Sequence, residues 1–108
     1  MPIEKWSEKI VLVHLGDDPQ FTEDVQSLGS MIRQNISIVL DFNAVRYINS
    51  SNLSRLLKLR KQLSSTDARL VLCGLSNQVW GVFLITGLDK IFEFSDNVPT
   101  ALATLQMG

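Results

Sequence analysis

Two adjacent hydroxyls, Ser50 and Ser51, stand between an apolar run ending at Asp41 and a leucine-rich stretch that continues to Leu63. That setting predicts hydroxyls at the N-terminus of a helix. The first N–H groups of a helix lack partners within it, and the aligned peptide dipoles leave about half a positive charge there. An anion on or beside Ser51 is stabilised at such a place, and an unmodified serine can cap the helix. Few other residues offer chemistry. His14 is the single histidine and Cys73 the single cysteine, far apart in the chain, and carboxylates are scattered through turns. This gives no nucleophile and base, no glycine-rich phosphate loop, and no second His or Cys at metal-ligand spacing from His14. The expectation is a binding module with no catalytic residue, metal or cofactor.

The elements that must position the serines follow from pattern. Ile10 to Leu15 is a β-branched strand within Glu8 to Leu15, paired with a short one around Ile3 to Trp6, and Gly16-Asp17-Asp18-Pro19 ends it as a turn. Thr22 offers a cap for a helix with Val25, Leu28, Met31 and Ile32 at helical spacing. Ile36 to Phe42 is apolar on both alternating faces at its centre, as in the middle strand of a sheet. The helix from about Ser51 to Leu63 carries a leucine stripe and a basic outer face of Arg55, Lys58 and Lys61, with Arg60 beside the stripe. With Arg46 these cations read as a solvated face. Leu70 to Leu75 is a further buried strand, Ser76 caps a helix through Thr86 with Gly87 at its left-handed end, Ile91 to Phe94 is a short strand, and Val98 to Met107 a last helix. The order β-β-α-β-α-β-α-β-α predicts an α/β domain with a mixed, mostly parallel sheet of four to five strands. Loops at the carboxyl ends of such strands carry function, and residues 42–52 form one of them.

At 108 residues and 45% hydrophobic, the chain fits one domain over residues 1–108. A net charge of −1 gives no electrostatic case for nucleic acid or an anionic membrane. One unpaired cysteine, no apolar signal core and no stretch near the ~20 residues of a bilayer span point to a reducing, cytoplasmic setting. On the helix after Ser76, Trp80 and Leu84 lie at i, i+4 off the apolar face. They would form a contact for a partner or a second copy unless the C-terminal helix covers them.

The segment Leu40-Asp41-Phe42-Asn43-Ala44-Val45-Arg46-Tyr47-Ile48-Asn49-Ser50-Ser51-Asn52-Leu53 resembles the signature of STAS domains, the fold of bacterial anti-sigma factor antagonists. That signature is a strand ending in Leu-Asp, a loop, and Ile-Asp-Ser-Ser-Gly-Leu opening a helix. Ile85-Thr86-Gly87-Leu88, followed by Ile91-Phe92, is similar to a second family feature, a helix ending in Thr-Gly-Leu before an apolar strand. The element order matches over essentially the whole chain.

The resemblance implies a partner switch. The unmodified antagonist binds an anti-sigma factor that is also a serine kinase, and so releases a sigma factor. The kinase phosphorylates the second serine of the motif, here Ser51, with Ser50 as the second candidate, and a serine phosphatase reverses this. Asp41, Asn49 and Asn52 flank that site, and the Asp17 and Asp18 loop contributes to partner contact in the family. Two positions depart from the pattern: Asn49 stands where the family has an acid, and Asn52 where it has glycine. They favour the competing expectation, an adaptor STAS domain that never carries phosphate, in a stress-signalling assembly or on the cytoplasmic side of a lipid transporter.

Overall fold

The computed structural model describes residues 3–32 and 35–107. Five strands form one sheet in chain order: β1 (Ile3–Lys5), β2 (Ile10–Gly16), β3 (Ser37–Ala44), β4 (Leu70–Cys73) and β5 (Glu93–Ser95). β1 runs antiparallel to β2 and the rest are parallel, with Val13 beside Leu40 and Leu40 beside Leu72 at the centre. The helices are α1 (Gln20–Gly29), α2 (Ser50–Leu63), α3 (Asn77–Thr86) and α4 (Val98–Met107). This is the predicted order, with one added 3-10 turn at Leu88–Lys90.

Strand alternation divides the core in two. Val13, Ile38, Leu40, Phe42 and Leu72 face α1, α2 and α3, meeting Phe21, Leu28, Leu56, Leu59, Val79 and Phe83. Leu12, Val39, Val71 and Cys73 face the other way, under Ala101 and Leu102 of α4. Because β3 is central and covered on both sides, its run Ile38-Val39-Leu40 is fully buried, as its unbroken apolar character predicts.

Several boundaries differ from the sequence reading: β2 and β3 are each shifted by one or two residues, and β4 ends at Cys73, before Gly74 at φ 71°. Helix α1 starts at Gln20 without a cap from Thr22, and it ends at Gly29. Met31 and Ile32 therefore lie beyond the helix, yet still pack against the core. Helix α2 starts one residue early, on Ser50, because Asn49 caps it in place of a serine. The last strand begins at Glu93 because the Ile91 and Phe92 N–H groups are taken by the Leu88 carbonyl of the preceding turn. The predicted end of α3 holds: Ser76 Oγ accepts from the Val79 N–H, and Gly87 adopts φ 75°.

Candidate functional site

Two loops leave the carboxyl ends of neighbouring parallel strands and meet at the start of α2. One follows β2 and carries Asp17 and Asp18; the other follows β3 and carries Arg46 and Asn49. Helix α2 opens with a reciprocal cap, in which Asn49 Oδ1 accepts the Asn52 N–H at 2.8 Å and Asn52 Oδ1 accepts the Asn49 N–H at 3.1 Å. That box satisfies N–H groups the helix cannot satisfy itself. Ser50 and Ser51 thus occupy the first two helical positions, and both are exposed.

Carboxylates from the first loop clamp the second. Asp17 accepts the backbone N–H of Arg46 and its Nε–H, each at 2.9 Å, across 29 residues of sequence. Asp18 Oδ2 accepts Asn52 Nδ2–H at 2.9 Å, while its Oδ1 accepts the Thr22 N–H at 3.0 Å and the Thr22 hydroxyl at 2.7 Å. Asp18 therefore does at the start of α1 the capping expected of Thr22. The Arg46 N–H, then its guanidinium, hold the Asp17 carboxyl below its ordinary value; the Thr22 hydroxyl, then the Asn52 amide, do the same for Asp18.

Of the residues singled out in the sequence, the structure gathers Asn49, Ser50, Ser51, Asn52, Asp17 and Asp18 at one end of the domain. Asp41 turns elsewhere. Its position in β3 shares the parity of Val39, toward the α4 face, where Oδ2 lies 2.7 Å from His14 Nδ1 and Oδ1 accepts the N–H and Nδ2–H of Asn43. His14 is half-exposed, and its other ring nitrogen lies 3.6 Å from Glu4. Among the described residues no group of three His, Cys, Asp or Glu side chains is arranged to hold a metal ion.

Trp80 and Leu84 lie on α3. The indole is half-buried, set edge-on against Phe94 of β5 with ring centroids 4.9 Å apart, so β5 and not the C-terminal helix provides its cover. Leu84 is 50% exposed and its neighbour Ile85 88%. A cleft of about 270 Å³ runs beside Trp80, lined by Leu75, Asn77, Phe94, Ser95 and Asp96.

Sequence reasoning missed the pairings Asp17–Arg46, Asp18–Asn52 and His14–Asp41. In the sequence Arg46 reads as one more solvated cation, and Asn52 as a side chain added beside Ser51; instead Asn52 is 3% exposed and points inward. The one available signal was topological: loops after adjacent parallel strands end side by side.

Comparison with known proteins agrees with this architecture. The STAS domain family model matches residues 9–101. The anti-sigma-B factor antagonist of Listeria monocytogenes is 32% identical over 65 residues, 60% of this chain and 57% of that protein. The matched stretches span 60% or less of the curated relatives' length. Among solved structures, the anti-sigma factor antagonist SpoIIAA in its unphosphorylated form superposes with a TM-score of 0.81 at 18% identity, covering 98% of this chain and 96% of that one. An anti-sigma-factor antagonist (STAS) domain protein from Planctomyces limnophilus gives 0.83 at 14%, over 96% and 97%. The sheet order, the helix opening on two exposed serines and the matching family model together place this chain in the STAS domain family.

Proposed function

We infer that this chain is an anti-sigma factor antagonist, a partner-switching binding module controlled by phosphorylation of Ser51. The observation that carries the reading is the placement of Ser51: an exposed hydroxyl in the first turn of α2, flanked by a loop that presents two carboxylates. The name of the Listeria relative supports it. A phosphoryl group adds about −1.5 to −2 charges, which at an interface means repulsion of acids and a desolvation cost. The unmodified form binds an anti-sigma factor with serine kinase activity and frees a sigma factor; the modified form lets go, and a serine phosphatase resets it. Ser50, one position nearer the cap, is the alternative acceptor.

Partner contact falls to Asp17, Asp18 and Leu84, with Trp80 offering its uncovered edge to the partner or to a second copy. A binding role suits the chemistry present, since the one histidine is engaged with Asp41 and burial pushes the Cys73 thiol up to about 12. No helix among the described residues is long and apolar enough to cross a membrane, and we place the protein in the cytoplasm.

The experiment is a phosphopeptide map over residues 46–55 of protein from its own cells, joined to titration of the partner kinase with Ser51→Asp and Ser51→Ala. Phosphate on Ser51, weakened binding by the aspartate variant and retained binding by the alanine variant are expected. Equal binding by both variants would overturn the switch. The second reading, an adaptor that never carries phosphate, is favoured by the two amides, Asn49 and Asn52, that cap the start of α2. It predicts an unmodified Ser51 under every growth and stress condition.

A further inference from the structure

The loop after β2 is tied to α2 by side chains that differ in charge balance. Arg46 neutralises Asp17 directly. Asp18 is held by neutral donors: the N–H and hydroxyl of Thr22, and the amide of Asn52. Asn52 in turn has little freedom, because it is buried and both its backbone N–H and its Oδ1 are committed to Asn49. The Asp18–Asn52 bond spans 34 residues of sequence and, with Asp17–Arg46, joins the two loops through side chains. The first turn of α2 contains no acidic residue of its own, and among the described residues no salt bridge offsets Asp18, the anion bonded to its Asn52.

We propose that the Asp18–Asn52 hydrogen bond is a latch set by the charge on residue 51: a phosphoryl group on Ser51 opens it and releases Asp18 from α2, leaving the loop held by Asp17 and Arg46 alone. Ser51 is the chain neighbour of Asn52, whose side chain holds the Asp18 carboxylate. Charge on residue 51 and charge on Asp18 are therefore on the order of 8 Å apart, about one Debye length at physiological salt and well within it at low salt. A neutral amide cannot absorb that repulsion as an arginine would. The other oxygen of the same carboxylate, Oδ1, accepts the Thr22 N–H and hydroxyl, so a carboxylate repelled from Asn52 strains its hold on the start of α1 as well. Modification would thereby withdraw the Asp17 and Asp18 surface from a partner even where the phosphate itself touches nothing on that partner.

This inference rests on Ser51 being the modified residue, and its test needs neither kinase nor partner. Hydrogen exchange of the Thr22 and Arg46 amides is followed by NMR in the full chain bearing Ser51→Glu or Ser51→Gln. At low ionic strength, exchange about twofold faster with glutamate than with glutamine is expected, the scale of repulsion between two unit charges about 8 Å apart in water. A phosphoryl dianion doubles that on a free-energy scale, giving about fivefold. The difference should vanish in the Asp18→Asn background, which removes the charge and, with a single acceptor oxygen, can keep only one of the bonds to Thr22 and Asn52. Equal exchange for glutamate and glutamine, or a difference that persists without the Asp18 charge, overturns the latch and leaves the switch reading standing. An unmodified Ser51 in cells overturns the switch reading, while the exchange difference would still uphold the latch as a property of the chain.

Discussion

Asn49 and Asn52 cap one another: each side-chain oxygen accepts the other residue's backbone N–H, at 2.8 and 3.1 Å, across the first turn of α2. The two positions at which the sequence departs from the family signature are thus structurally one device. An asparagine at the cap alone would have replaced an acid by a weaker acceptor; the second asparagine returns a bond the glycine of the signature has no side chain to make.

Removing the cap isolates its contribution. Asn49→Ala is expected to lower stability by about 1 kcal/mol, the usual cost of losing a side-chain N-cap. Urea unfolding checks this: the midpoint should fall with an unchanged slope, because the surface exposed on unfolding stays the same. Asn52→Gly should cost more, since it removes the reciprocal bond and the Asp18 anchor and puts glycine inside a helix.

Much of this architecture was legible from the chain because its signals are local. The unbroken apolar run at Ile38 to Leu40 marks a central strand, and Ser76 and Gly87 mark the ends of α3 through capping and left-handed geometry. The Ser50 and Ser51 position could likewise be read, because a helix start depends on a few consecutive residues. What escaped was set by contacts between distant segments. Nothing near Arg46 marks it as the partner of Asp17, nor Asn52 as that of Asp18, since each bond depends on two loops meeting beyond adjacent strands. Met31 and Ile32 mislead for the opposite reason: both pack on the core, so helical spacing continues through a segment where the helix has stopped.

Acid should loosen the same clamp. The Asp17 and Asp18 carboxyls both titrate below their ordinary value of 3.8 in the folded chain. A depressed folded value means stability that is fully present above the ordinary carboxylate range and lost as pH falls through the folded value. Asp17→Asn and Asp18→Asn should each flatten the decline of the urea midpoint between about pH 5 and pH 2.5 relative to the parent chain. A parallel decline in all three proteins would show that the clamp does not discriminate between protonation states.

Cys73 gives a readout of global opening. It is fully buried under α4, and desolvation, followed by the nearby Asp41 charge, pushes its thiol up to about 12. Only the thiolate reacts with disulfide reagents, so at pH 8 the folded chain carries very little of the reactive form, and access is blocked besides. Labelling in native buffer should proceed only through unfolding and accelerate steeply in denaturant. Rapid stoichiometric labelling of the folded chain would contradict this burial.

Phe83 is where the aromatic core converges. Its ring meets Phe42 of β3 at 6.5 Å, Phe92 at 5.8 Å and Phe94 of β5 at 5.3 Å, all edge to face. Phe42 continues the series to Phe21 of α1, and Phe94 to Trp80 of α3, so one ring links elements drawn from the whole chain. Phe83 has no exposed surface, and truncation would leave a cavity that the surrounding elements must collapse to fill. Phe83→Ala should therefore cost about 3 to 5 kcal/mol, a large share of the roughly 5 to 15 kcal/mol typical of a domain. Trp80→Ala, removing a half-buried ring from the end of the same series, should cost clearly less in the same urea titration. A reversed order would mean that the Trp80 and Phe94 contact, and not the Phe83 centre, fixes α3 against the sheet.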